Sequence, residues 1–125
     1  MNSPSVLIVD DHVDSGVICA EAFKVAGFTA EVVHSTEKAL ARLARITPDV
    51  VVLDLCLPRV AGTEVLRQIR ADERLSNAFI IVASADPLFA EKLLSQVDLV
   101  LVKPVGFGQL RALAERLSGA ASAGS

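Results

Sequence analysis

Hydrophobic residues follow two alternating rhythms along this chain. Five short apolar runs, Ser5 to Asp10, Thr29 to Val33, Val50 to Asp54, Phe79 to Ala83 and Asp98 to Val102, are rich in Val, Ile or Leu and predict strands. Three of them are apolar at nearly every position, the pattern of strands buried on both faces of a parallel sheet. Between the runs, apolar positions recur every three or four residues and predict helices. Ile18, Ala22 and Val25 with Cys19, Phe23 and Ala26 mark the first, ended by Gly27, and Ala39, Leu40, Leu43 and Ile46 the second, ended before Pro48. Val65, Leu66 and Ile69 mark a third. Leu88, Phe89, Leu93 and Leu94 mark a short fourth, and Phe107, Leu110, Leu113, Ala114 and Leu117 the last. Strand and helix alternate five times, which selects the α/β class: a single doubly wound domain with a five-stranded parallel sheet flanked by five helices, the fourth short or atypical.

Length and composition narrow this picture. A chain of 125 residues suits one domain. At 52% hydrophobic it has ample core material, which excludes global disorder. A formal net charge of −3 and a pI near 5.3 leave no basic field for nucleic acid, so direct nucleic-acid contact is not expected. The apolar runs are too short to span a bilayer and no signal peptide opens the chain, which reads as cytoplasmic with no membrane partner. Cys19 and Cys56 lie far apart with no companion at metal-ligand spacing, and Cys19 reads as a buried thiol. Gly119 to Ser125 is a small-residue stretch, read as a flexible tail or the start of a linker.

Four predicted strands finish on reactive polar groups. The first runs into Asp10 and Asp11, the third into Asp54, the fourth into Ser84 and the fifth into Lys103. In an open parallel sheet these carboxyl ends share one edge, where ligands bind at the point of strand reversal. Singly, Asp10 or Asp11 reads equally well as a helix cap, and Asp54 as a turn residue. Jointly, three carboxylates, a hydroxyl and an ammonium converge. Close carboxylates oppose one another's ionisation, and a cation relieves the conflict. The oxygen-rich set suits a hard divalent ion, Mg²⁺ first with Mn²⁺ as the alternative. A carboxylate can also be the nucleophile in phosphoryl transfer, leaving positioning and charge neutralisation to its neighbours. Asp54 is then the acceptor, and Lys103 and Ser84 take phosphoryl oxygens. His12 and His34 each follow a strand and read as exposed loop histidines rather than ligands.

These residues resemble the receiver domain of two-component response regulators. The resemblance rests on Val6 to Asp11, Asp54 to Pro58 followed by Gly62, Ile80 to Ala85, and Val102 to Pro104, in that order, and it covers residues 1–118. It implies a flavodoxin-like sheet of order 2-1-3-4-5, Asp54 as phosphoacceptor, Asp11 as a direct Mg²⁺ ligand and Asp10 as one acting largely through water. It further implies the backbone carbonyl of Cys56 as a ligand, Ser84 as the hydroxyl that moves toward the phosphoryl group, and a cis peptide between Lys103 and Pro104. The implied partners are a sensor histidine kinase or a histidine phosphotransfer protein as donor, with the downstream effector unspecified and homodimerisation through the last two strands and helices open by analogy.

Two features depart from that pattern. The position three before Lys103 usually carries an aromatic, and here it is Val100; the interval from Ser84 to Lys103 is also shorter than usual. They motivate an alternative, a receiver-like protein-interaction module with degenerate switching. An aspartyl phosphatase is disfavoured, because Cys56 stands where such enzymes carry a second acid, and an FMN-binding flavodoxin because the first strand ends in two aspartates. The expected role is thus a phosphoacceptor domain, not an enzyme acting on separate substrates. Cys56 and Asp86, two residues past Asp54 and Ser84, are expected to flank the path of attacking water.

Overall fold

Buried runs of Val, Ile and Leu must pair their backbone polar groups, and here they pair with one another. The computed structural model describes residues 3–54 and 59–123. It holds parallel strands β1 (Ser5–Val9), β2 (Thr29–Val33), β3 (Val50–Asp54), β4 (Phe79–Ser84) and β5 (Leu99–Val102), in the order β2-β1-β3-β4-β5. The helices are α1 (Val13–Val25), α2 (Thr36–Leu43), α3 (Arg59–Ala71), α4 (Pro87–Lys92) and α5 (Phe107–Ala123), with a 3-10 turn at Glu73–Leu75. The five-strand order, the flanking helices and the short fourth helix match the expectation.

Successive strand residues face opposite layers. Leu7, Val9, Val51, Leu53, Ile80 and Val82 pack with Ala39 and Leu43 of α2, Val65, Leu66 and Ile69 of α3, and Leu93 just after α4. Val6, Ile8, Val50, Val52 and Ile81 pack on the other face with Cys19, Ala22 and Phe23 of α1 and Leu110 and Ala114 of α5. Each fully buried side chain of this size contributes about 1.5–3 kcal/mol.

Helix ends follow local chemistry. Gly27, at φ 101°, closes α1: its N–H donates to the Lys24 carbonyl at 3.0 Å and that of Phe28 to the Phe23 carbonyl at 3.0 Å. Phe28 then sets its ring edge-on to Phe23, 5.0 Å between centroids, locking the return into β2. Ser35 caps α2 by accepting the Lys38 N–H at 3.1 Å.

The structure corrects two details. Ile18 and Val25, expected on the buried stripe of α1, are 47% and 60% exposed. Much of α1 is apolar, so periodicity did not single out one face. Close approach to β2 does: a Cβ on Gly16 would lie 2.9 Å from Val32 Cγ1, and Gly16, Cys19, Ala20 and Phe23 turn inward. Helix α2 ends at Leu43, leaving Ile46 outside it, and Arg74 donates Nη2–H to the Leu43 carbonyl at 2.8 Å. Helix α5 runs from Phe107 to Ala123. Among the described residues no helix is long and apolar enough to cross a membrane.

Candidate functional site at the carboxyl edge of the sheet

The chain leaves β1 toward β2 and leaves β3 toward β4, so the order in which the parallel strands are laid down reverses between β1 and β3. Asp10 follows the last residue of β1 and Asp54 is the last of β3. The register sets Asp54 opposite Ala83, one residue before Ser84, and Ser84 opposite Val102, one before Lys103. Topology alone thus gathers Asp10, Asp54, Ser84 and Lys103 on one edge.

Each is held. Asp54 is 4% exposed, and its Oδ1 accepts a hydrogen bond from Lys103 Nζ at 2.5 Å. Lys103 is placed by its own backbone N–H, which donates to the Ser84 carbonyl at 2.9 Å, and the Lys103–Pro104 peptide is cis. The Ser84 hydroxyl is buried and occupied: it accepts the Asp86 N–H at 3.0 Å and lies 3.3 Å from the Asp86 carbonyl. The side chains of Asp10 and Asp11 diverge. Asp10 is 4% exposed, accepting the His12 N–H at 2.9 Å on Oδ1 and the Ser15 hydroxyl on Oδ2. Asp11 is half-exposed, its Oδ1 3.0 Å from His12 Nδ1.

Burial pushes the Asp10 carboxyl above its ordinary pKa, and the nearby Asp54 charge adds to that; the hydrogen bonds from Ser15 and the His12 N–H oppose it. Burial, reinforced by the Asp10 and Asp54 charges, likewise raises the Cys19 thiol to about 12. Cys19 is therefore a neutral, unreactive wall of the site, as expected of a buried thiol. It lines a cavity of about 190 Å³ with Ile8, Ile18, Leu101 and Leu110, opening beside Asp54 and Lys103.

Asp10, His12 and Asp54 offer ligand atoms that all lie within 4.8 Å of one another, a group able to hold a metal ion. Two buried carboxylates beside a single ammonium form an oxygen-rich, under-neutralised donor set, which fits a divalent cation. Asp11 stands outside this group of three, and Cys56 lies outside the described residues. His12, read from sequence as a loop histidine, is brought into the group by the β1–α1 turn. His34, read the same way, donates Nδ1–H to the Asp10 carbonyl at 3.0 Å and so steadies that turn. Ser15 was missed altogether, and the only signal for it was a hydroxyl one helical turn beyond an aspartate pair.

The family model of the response regulator receiver domain matches residues 6–115. Similar chains include the sensory transduction protein RegX3 of Mycobacterium tuberculosis, 42% identical over 82 residues that cover 66% of this chain and 35% of that protein. The transcriptional regulatory protein TrcR of the same organism is 35% identical over 78 residues, 62% of this chain and 30% of the relative. The chain thus spans about a third of the length of these curated relatives. Among solved structures, a sensor protein from Polaromonas superposes with a TM-score of 0.78 at 30% identity, covering 94% of this chain and 97% of the other. The chemotaxis response regulator CheY4 of Vibrio cholerae does so at 0.83 with 22% identity, covering 93% and 99%, a likeness of fold. A doubly wound sheet of order β2-β1-β3-β4-β5 with acids at its switch point is a flavodoxin-like architecture. The chain belongs to the receiver domain family of two-component response regulators.

Proposed function

We propose that this domain is a phosphoryl-accepting switch, with Asp54 as acceptor, a phosphohistidine on a sensor kinase or phosphotransfer protein as donor, and the cytoplasm as its place of work. The observation that carries the reading is the pairing of Lys103 Nζ with a nearly fully buried Asp54 at 2.5 Å. An ammonium at that distance neutralises the acceptor and is already placed to follow charge onto the phosphoryl group.

A carboxylate oxygen of Asp54 attacks phosphorus while the bond from phosphorus to the donor imidazole nitrogen breaks, the electron pair leaving with the imidazole. Asp10, Asp11, Asp54 and the Cys56 carbonyl would hold Mg²⁺, which would supply neutralisation of the negative charge that the carboxylates and the phosphoryl group bring together. Lys103 shifts its hydrogen bond from Asp54 Oδ1 to a phosphoryl oxygen. Ser84 can donate to another by turning its hydroxyl proton away from the Asp86 carbonyl, 3.3 Å distant, which loosens the β4–α4 turn when Asp54 is modified. That turn is the proposed route to a partner. The test is Mg²⁺-dependent labelling by a small phosphodonor such as acetyl phosphate. One aspartyl phosphate per chain, lost in Asp54→Asn, is expected; labelling that survives Asp54→Asn refutes the acceptor assignment.

Val100 favours a second reading. It is half-buried in β5 opposite Val82, and a β-branched side chain there lacks the inward swing of an aromatic. The domain is then an interaction module with degenerate switching. Beryllofluoride with Mg²⁺ separates the two: amide shifts that reach β5 and α4 support switching, and shifts confined to the crevice support the module.

A further inference from the structure

We infer that the apolar cavity behind Asp54 is a binding site for a small neutral molecule with an apolar body, a single aromatic ring or a branched hydrocarbon of similar size. The inference does not depend on phosphorylation of Asp54, and it assigns the space below the acids rather than the acids themselves.

Small residues meeting on one face of the sheet make this cavity. Its floor is Ile8, Val52, Ala83 and Leu101, from four neighbouring strands, with Ile8 beside Val52 and Ala83 beside Leu101 in the register. Its sides are Ile18 and Cys19 of α1 and Leu110 of α5. Helices α1 and α5 pack against each other over this face, yet Ala83 and Cys19 are too short to fill the space between the larger side chains. Protein interiors leave few voids larger than a water molecule, so about 190 Å³ is a formed space and not a packing gap. Two residues further along the same strands, on the same face, come Asp10, Asp54 and Lys103. The charges therefore gather at one end, and the depth is apolar.

Lining chemistry selects the occupant. A water needs about two to four polar partners, and aliphatic walls offer it few below the mouth. At the mouth the polar groups are engaged, Lys103 with Asp54, and Asp10 with Ser15 and the His12 N–H. Among the described residues no buried side-chain nitrogen or oxygen lacks a hydrogen-bond partner, so no polar atom calls for a charged guest in the depth. A charged head carried there would lose its water without gaining a partner, whereas burying an apolar ring is favourable in proportion to its area. An apolar cavity of about 150 Å³ suffices for benzene, so this one has room for a ring with a short substituent. Ile18, a wall that is 47% exposed, can turn aside to admit it.

The probes are toluene, benzylamine and benzoate, each titrated into the full chain and followed by methyl NMR and by thermal unfolding. Toluene is expected to give saturable methyl shifts and intermolecular NOEs at Ile8, Val52 and Leu110. It should also raise the unfolding temperature, because a ligand bound only by the folded state stabilises it. The two charged analogues should bind at least roughly tenfold more weakly. Cys19→Leu and Ala83→Leu fill the cavity from opposite sides, and in either variant that folds the toluene shifts should be lost. Absence of NOEs to Ile8, Val52 and Leu110 in the wild type, or shifts spread instead over exposed Leu88 and Leu94, overturns the site. So does toluene binding that survives in a folded Cys19→Leu or Ala83→Leu chain. Benzylamine binding that exceeds that of toluene and is weakened by Asp54→Asn would show that the acids select the guest, and overturns the neutral class.

Discussion

The crevice between β1 and β3 and the outer edge formed by β5 and α4 belong to one sheet but are held very differently. All five residues of β3 are buried, and the acids at the crevice are fixed by hydrogen bonds from Lys103, Ser15 and the His12 backbone. In β5, Leu99, Val100 and Leu101 are only half-buried and Val102 is 52% exposed; beside it α4 has six residues, with Leu88 72% exposed. Chemistry needs preorganised groups, and burial on two faces supplies rigidity there. A response needs an element that can rearrange at low cost, and a thinly covered edge strand with a one-and-a-half-turn helix is such an element. The Ser84–Asp86 turn joins the two regions.

The sharpest way to break this contrast is a matched pair of truncations read by denaturant unfolding. Leu53→Ala, at the centre of the sheet, is expected to cost about 2–5 kcal/mol, and Leu99→Ala at the edge clearly less. Equal losses would mean that the edge is as tightly built as the centre. Next comes Asp98, whose Oδ2 accepts the N–H of fully buried Ile80 at 2.7 Å and also pairs with Arg70 at 3.2 Å. Asp98→Ala leaves that N–H unpaired, at a cost of about 1–3 kcal/mol, with faster amide exchange at Ile80.

A pH effect follows from Cys19. In the unfolded chain its thiol ionises near 9.0, and in the folded protein near 12. Between these values the folded state binds the extra proton, so this contribution to stability is whole below pH 9 and is lost as pH rises toward 12. Cys19→Ala should flatten the stability profile across that window, and a profile identical to wild type would show that the thiol is not desolvated. The smallest effect is expected at the edge: Val102→Thr should change stability by no more than about 0.5 kcal/mol. A larger loss would reveal packing on that face that its exposure does not suggest.

Much of this architecture was legible in the residues. Runs such as Val50 to Asp54 announced two-sided burial, and four polar residues closing four such runs announced the crevice, because a parallel sheet puts all carboxyl ends on one edge. Asp10, Asp54, Ser84 and Lys103 needed only strand order to meet. What the linear pattern left open were choices made by contacts between elements. Ile18 and Val25 matched the apolar period of α1 yet point outward, since the approach of Gly16 to Val32 decides which face of that helix turns in. Asp10 and Asp11 are adjacent and identical in type, yet one is buried and the other half-exposed beside His12, a difference set by the turn geometry after β1. That His12 comes within reach of Asp10 and Asp54 is likewise a matter of proximity across the crevice. Periodicity reports how each element must be covered; orientation around an axis and distance across a cleft arise only when the elements dock, and there tertiary packing has the last word.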